Sequence, residues 1–252
     1  MKKAPQEVIT ITTDFGDQFA SAQLKAVVAN EGYTGSLIEN HDVSPFSIIE
    51  GAFEILVLAR FCPRDTIHVG VVDPGVGSNR EGIVIRTQNF WFVGPNNGLL
   101  IPAAKNDNIQ QIWRLKENKI NDFVSPTFHG RDVFIKAAVY LAQGKKPEDF
   151  YCQPLKKHHL VALDFCHGQI LHIDSYGNVK VYWDKELKIG QKLNIKIGSK
   201  NVVFPIVKTF ADVPPGKPLA FWGSSQTLEL ATNLGNLAQK YHLKIWEIIL
   251  EK

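Results

Sequence analysis

Three cysteines in 252 residues, no long apolar run and little excess of either charge are the first constraints on this chain. Cys62, Cys152 and Cys166 are odd in number, far apart and outside metal-ligand spacing. They read as reduced thiols of a cytosolic protein rather than as a disulfide framework. No apolar stretch approaches the length of a membrane span, and Lys2-Lys3 is not followed by the apolar segment of a signal peptide. A soluble, cytoplasmic protein with no membrane partner is therefore expected. The net charge is only +3, with dispersed basic residues and short pairs at Lys145-Lys146 and Lys156-Lys157, which argues against a nucleic-acid partner. The chain also lacks internal repeats, low-complexity tracts, a Gly-x-Gly-x-x-Gly turn after its first strand-like run and a Walker loop. His158-His159, with His167 and His172, lacks the carboxylate partners and spacing of zinc sites, so no metal is expected.

What is present alternates strand and helix. Val8–Thr12 is a β-branched run, Gln18–Asn30 has helical periodicity, Leu37–His41 reads as a strand, Ile48–Phe61 as a helix and Thr66–Val72 as a third strand. Such alternation predicts right-handed crossovers and a mainly parallel sheet. Segments 82–86 and 89–93 read as a hairpin, and Asp132–Gln143 as a helix stopped by Gly144 and Pro147. Beyond about residue 155 the pattern turns to strands at 168–173, 178–183, 192–197, 202–210 and 218–222, a helix at 228–238 and a last strand near 245–250. The expected fold is an N-terminal α/β sandwich, residues 1–152, followed by a C-terminal β-barrel-like domain, residues 153–252.

Chemistry-bearing residues gather at turns. The third strand runs into Val72-Asp73-Pro74-Gly75-Val76-Gly77, with Arg80 seven residues after Asp73. In an open α/β sheet ligands collect at the carboxyl ends of strands, so an acid and a guanidinium on one such loop can form a site. A structural turn with an exposed ion pair is the plain alternative. Asp14 ends the first strand just before a helix, where a carboxylate suits ribose hydroxyls or simply caps the helix. In Thr127-Phe128-His129-Gly130-Arg131-Asp132, a helix N-terminus disfavours imidazolium, which leaves His129 able to accept a proton; a satisfied loop histidine is the alternative. Asp174 through Asn178 fits an ordinary hairpin, and Ser224-Ser225 an ordinary loop.

Taken in order, these segments resemble the S-adenosyl-L-methionine (SAM) hydroxide adenosyltransferase family, relatives of the fluorinase and chlorinase enzymes. The matching pieces are Thr13-Asp14-Phe15-Gly16, Ser44-Pro45-Phe46 with Glu50-Gly51-Ala52, Val72 to Gly77, Gly94-Pro95-Asn96-Asn97-Gly98, Thr127 to Asp132, Ile173-Asp174 through Gly177-Asn178, Thr209-Phe210-Ala211-Asp212 and Ser224-Ser225. The resemblance covers about residues 8–250. It implies a homotrimer whose substrate lies between the N-terminal domain of one subunit and the C-terminal domain of its neighbour. It implies a catalytic set of Asp73, Arg80 and His129, with Asp14 on the ribose, Phe46 and Phe210 packed on ribose and adenine, and Asn178 reading the adenine edge. Asp174 would meet the methionine ammonium, Ser224 and Ser225 its carboxylate, and Asp17 would assist.

The implied reaction is hydrolysis of SAM by water or hydroxide at C5′, giving adenosine and L-methionine with SAM as substrate and no cofactor. Arg80 would stabilise developing hydroxide, while Asp73 and His129 take up or relay the proton. Halogenating relatives carry tyrosine where Asp73 stands, and the fluorinase carries serine at Gly130, so both positions point to water over halide. The segment Gly16-Asp17-Gln18-Phe19 is shorter than usual, Gly223 stands for an asparagine, and Gln226-Thr227 for a Gly-Tyr type pair. These departures touch the methionine end and keep open a non-catalytic SAM or adenosine sensor; a halide-using adenosyltransferase is the third reading.

Overall fold

The structure, a computed structural model, describes residues 8–16 and 18–251. The chain divides into two compact units, Met1–Asp164 and Phe165–Lys252. Asp17 lies outside the described residues.

The first unit is built from β1 (Val8–Thr13), α1 (Gln18–Asn30), β2 (Ser36–Asn40), α2 (Ile48–Ala59), β3 (Ile67–Val71), β4 (Gly82–Thr87), β5 (Trp91–Pro95), α3 (Ile101–Asn106), β6 (Ile109–Leu115), α4 (Glu117–Ile120), a π-helical turn (Gly130–Phe134) running into α5 (Ile135–Ala142), and β7 (Cys152–Pro154). Its seven strands form one sheet in the order β2-β1-β3-β5-β4-β6-β7. The β2, β1, β3 and β5 pairings are parallel, and those of β4 with β5 and β6, and of β6 with β7, are antiparallel. A parallel-rich half thus continues into an antiparallel one. Because β7 adds an edge strand to this sheet, the first unit runs past the 152/153 boundary expected from composition.

Alternation along the strands builds the core. Ile9 and Ile11 of β1 and Ile67, Val69 and Val71 of β3 share one face and pack with Leu24 and Val28 of α1 and with Val133, Phe134 and Ala137 near α5. On the opposite face Thr10 of β1 lies in register with His68 of β3, and their side chains hydrogen-bond at 2.8 Å. His68 is fully buried against Phe90 and Phe92, with ring centroids 5.2 and 5.1 Å away. Burial lowers its pKa to about 3, against a small opposing pull from Asp107.

The second unit contains β8 (Ile170–Ile173), β9 (Val179–Val181), β10 (Lys192–Ile197), β11 (Lys200–Pro205), β12 (Pro218–Trp222), β13 (Leu228–Thr232), α6 (Leu237–Tyr241) and β14 (Leu250–Glu251). They form two antiparallel sheets, β11-β10-β14 and β12-β13-β9-β8, around a shared core that includes Val179, Val181, Ile195, Phe204, Leu228 and Leu230. The helix expected at 228–238 is instead β13 followed by a turn and the short α6. Every residue from Leu228 to Thr232 is buried because β13 sits between β12 and β9, and such a fully buried strand shows no alternation to distinguish it from a helix.

No helix among the described residues is long and apolar enough to cross a membrane.

Candidate active site

Two strand ends and one helix start converge in the first unit. Asp14 follows β1, and its carboxylate accepts the backbone N–H of Phe46 at 2.8 Å, tying two loops together. Phe46 takes a left-handed backbone, φ 64°, and is 73% exposed, so its ring is presented outward rather than packed. Thr13 receives Phe15 N–H at 3.2 Å and meets His41 Nδ1 at 2.8 Å, which fixes the turn that carries Asp14.

Asp73 follows β3, and the turn to Arg80 is locked by Val76 N–H on Asp73 O (3.1 Å) and by Ser78, which donates to Gly75 O (2.7 Å) and accepts Arg80 N–H (3.3 Å). Gly77 is needed there on two counts. Its φ is 77°, and a Cβ would come within 2.7 Å of the Pro126 carbonyl, so this loop and the one carrying His129 pack backbone to backbone.

Every nitrogen of the Arg80 guanidinium is engaged. Nε donates to both Asp73 oxygens (3.0 and 2.8 Å), Nη1 to Glu117 Oε1 (2.6 Å) and Nη2 to His129 Nδ1 (2.8 Å). Its Cζ also lies 5.2 Å from the centroid of the Phe134 ring. Burial alone would lower the Arg80 pKa, but Asp73 and Glu117 outweigh it and hold the guanidinium even more firmly charged than usual. The ion pair is nearly dry, with the two side chains 9% and 6% exposed. The alternative of an exposed surface pair is thereby excluded. Glu117 Oε2 also lies 3.0 Å from His129 Nδ1.

His129 caps the π-helical turn, and Gly130 behind it has no room for a side chain, since a Cβ would meet Val71 Cγ1 at 2.7 Å. The neighbouring Arg131 and Asp132 form a fork, Nε to Oδ1 at 2.7 Å and Nη2 to Oδ2 at 2.8 Å, and Asp132 also accepts Ser125 N–H at 2.8 Å. Burial would raise the Asp132 carboxyl, but these donors hold it below its ordinary value. This pair is therefore structural and braces the loop before His129.

Asp14, Phe46, Asp73, Phe128, His129 and Gly130 line a cavity of about 310 Å³. Arg80 is not among its lining residues and stands behind Asp73 and His129. Two carboxylates against one guanidinium leave the cluster one uncompensated negative charge when His129 is neutral.

In the second unit a cavity of about 800 Å³ is lined by Asp174, Asn178, Lys180, Phe210, Ser224 and Glu229. Asp174 holds its hairpin, taking Tyr176 N–H (3.0 Å) and Asn178 N–H (2.9 Å) on Oδ1 and the Asn178 amide (3.0 Å) on Oδ2. The ordinary-hairpin reading is therefore correct, and the same two side chains still border the cavity. Phe210 stacks edge-on against Phe221 at 5.0 Å. Ser224 is exposed on the cavity, whereas Ser225 is buried and is not part of the lining.

The expected residues thus fall into two groups, one per unit. Glu117 was not anticipated: it lies in no motif, and only the antiparallel register of β4 with β6, which pairs Ile83 with Arg114, brings it beside Arg80. Lys180 and Glu229, paired at 2.9 Å in the second cavity, were missed for the same reason.

Comparison with known proteins gives a consistent result. The SAM hydroxide adenosyltransferase N-terminal domain model matches residues 9–151 and the corresponding C-terminal domain model residues 168–249. The chain is 32% identical over 226 residues to a protein of Methanocaldococcus jannaschii named (R)-S-adenosyl-L-methionine hydrolase, covering 80% of this chain and 78% of that one. A Thermus thermophilus protein of the same name is 29% identical, covering 92% and 94%. Proteins named fluorinase match at lower identity. Among solved structures, an uncharacterized conserved protein from Thermotoga maritima superposes with a TM-score of 0.89 at 26% identity, covering 97% of this chain and all of that one.

Proposed function

The chain belongs to the SAM hydroxide adenosyltransferase family, and from that premise we propose that it hydrolyses SAM at C5′ to adenosine and L-methionine. The relatives are named for the (R)-sulfonium epimer, and that epimer is the proposed substrate. The leaving group departs as a neutral thioether, so no general acid is needed. The site must hold a water in line with the C5′–S bond and take its proton as the C–O bond forms. Asp73 and His129 border the cavity and serve that purpose, while Arg80 holds both in place. Asp14, with one oxygen on Phe46 N–H, offers the other to the ribose hydroxyls, and Phe46 covers the sugar.

One observation carries this reading: the carboxylates of Asp14 and Asp73 line the cavity, whereas the Arg80 guanidinium does not. A negative site attracts a sulfonium and opposes a halide. A chloride about 4 Å from an ionised lining carboxylate without a cation beside it would be repelled by roughly 4 kcal/mol at an effective dielectric near 20, about a thousandfold in binding. Water is uncharged and bears no such penalty.

The recognition groups Asp174, Asn178, Phe210 and Ser224 belong to the second unit, with Asn178 on the adenine edge and Asp174 toward the methionine ammonium. A cavity of 310 Å³ stands at the small end of ligand sites, which supports a shared site completed by another subunit. A cytoplasmic homotrimer, with the first unit of one subunit facing the second unit of a neighbour, is the assembly proposed.

The test is incubation of purified protein with SAM and chromatography for adenosine; none above the uncatalysed background overturns the proposal. Asp73→Ala and His129→Ala should each abolish turnover while retaining adenosine binding. Binding without turnover by the wild-type protein would instead favour a sensor, the reading suggested by Gly223 and Gln226-Thr227.

A further inference from the structure

His129 Nδ1 faces two partners that require opposite things of it. Arg80 Nη2, 2.8 Å away, can only donate, so it needs a bare Nδ1 and leaves the proton of neutral imidazole on Nε2. Glu117 Oε2, 3.0 Å away, can only accept while ionised, so it needs Nδ1–H and leaves Nε2 bare. With Nδ1 turned to these two groups, Nε2 is the ring nitrogen left for the cavity that His129 lines. Only the Nδ1–H form can take a proton from a water in that cavity.

We propose that Glu117 is a positioning residue that makes the base-competent tautomer of His129 available. The inference rests on the SAM hydrolase reading. During attack a water oxygen bonds to C5′, and the C5′–S electron pair leaves on sulfur as a neutral thioether. The oxonium proton passes to His129 Nε2. The resulting imidazolium keeps its Nδ1–H against the Glu117 carboxylate, as an aspartate steadies the histidine of a hydrolytic triad, and the proton is later lost to solvent. Glu117 also anchors Arg80 Nη1 at 2.6 Å, so the guanidinium that competes for Nδ1 is held by the same carboxylate. Glu117 does not line the cavity, so it acts on the chemistry and not on substrate binding.

The experiment combines Glu117→Gln and Glu117→Asp with steady-state kinetics on SAM and with ¹⁵N spectra of histidine-labelled, ligand-free protein, the His129 signals assigned by their loss in His129→Asn. Glu117→Gln should lower kcat at least tenfold with KM unchanged within twofold, and should shift His129 toward the Nε2–H form. Glu117→Asp should recover part of both. Unchanged kcat, or a loss of kcat with the tautomer ratio unmoved in both variants, overturns the inference. The spectra need no turnover, so they decide the role of Glu117 even if the wild-type protein proves not to hydrolyse SAM.

Discussion

Acid should destabilise this protein through His68, which lies in the sheet and away from the cavity lining. His68 is 0% exposed, and its folded pKa is lowered to about 3 because burial penalises the imidazolium. In the unfolded chain the pKa returns to about 6.5. Between those values the unfolded state binds the extra proton, so stability is intact above the unfolded pKa and is lost as pH falls below it, the loss saturating near the folded value. From pH 7 to pH 5 the loss attributable to His68 is about 2 kcal/mol, and the full span is worth roughly 5 kcal/mol. Because Thr10 pairs with His68 across β1 and β3, the strands that lead into Asp14 and Asp73, part of any acid inactivation will be loss of fold. Urea unfolding of wild type and His68→Leu at pH 7, 6 and 5 isolates the effect, since all other titrations cancel. The variant pays a constant packing penalty but should lose about 2 kcal/mol less than wild type over this range. Parallel pH dependences would refute the reasoning and show that His68 takes up its proton as readily in the fold as in the unfolded chain.

Other consequences follow from individual contacts. Asp14→Asn keeps an acceptor for Phe46 N–H but loses the charge that the proposed function assigns to the ribose; adenosine binding by calorimetry should weaken roughly ten- to hundredfold, the range of a charged hydrogen bond. Gly130→Ser should cost about 1–3 kcal/mol by chemical denaturation because its Cβ runs into Val71, and Val71→Ala added to it should restore part of that loss; a neutral single mutant would show the packing is looser than drawn. Gln226 occupies a left-handed position, φ 58°, so Gln226→Gly should raise the melting temperature by about 1–3 °C, and a fall would count against strain there.

Local signals carried much of this structure. Gln18–Asn30 and strands 192–197 and 218–222 were readable to the residue, because amphipathic period and turn residues marked both ends. Asp73, Arg80, His129 and Asp14 stand out as candidates because each lies in or beside a loop rich in turn residues, which is conspicuous in the sequence. What escaped depends on register. β13 is buried on all sides and lost its alternation, β7 is three residues long, and Glu117 reaches Arg80 only through the pairing of β4 with β6. Gln226 is intermediate: its place after a tight turn is where glycine is favoured, so the departure from a Gly-Tyr type pair was visible while its backbone cost was not.

Gly130 points to water over halide, and the packing gives a second reason for glycine at this position. A hydroxyl side chain there must displace Val71, the last residue of β3 and a member of the core that supports Asp73. Turning this site toward halide therefore requires at least two coordinated changes: removal of the carboxylate at Asp73, and space made at Val71 for a donor at position 130. Removing Asp73 alone leaves Glu117 as the sole carboxylate on Arg80, which neutralises the cluster without making it positive. A cationic anion hole would need Glu117 to change as well. In the proposed function the preference for water is thus distributed over the Asp73 and Glu117 side chains and the Gly130–Val71 contact, all within the first unit, while the groups proposed for the second unit would bear on which adenosyl compound is held. Substitutions at Asp174 or Asn178 should accordingly change substrate affinity without admitting chloride as a nucleophile.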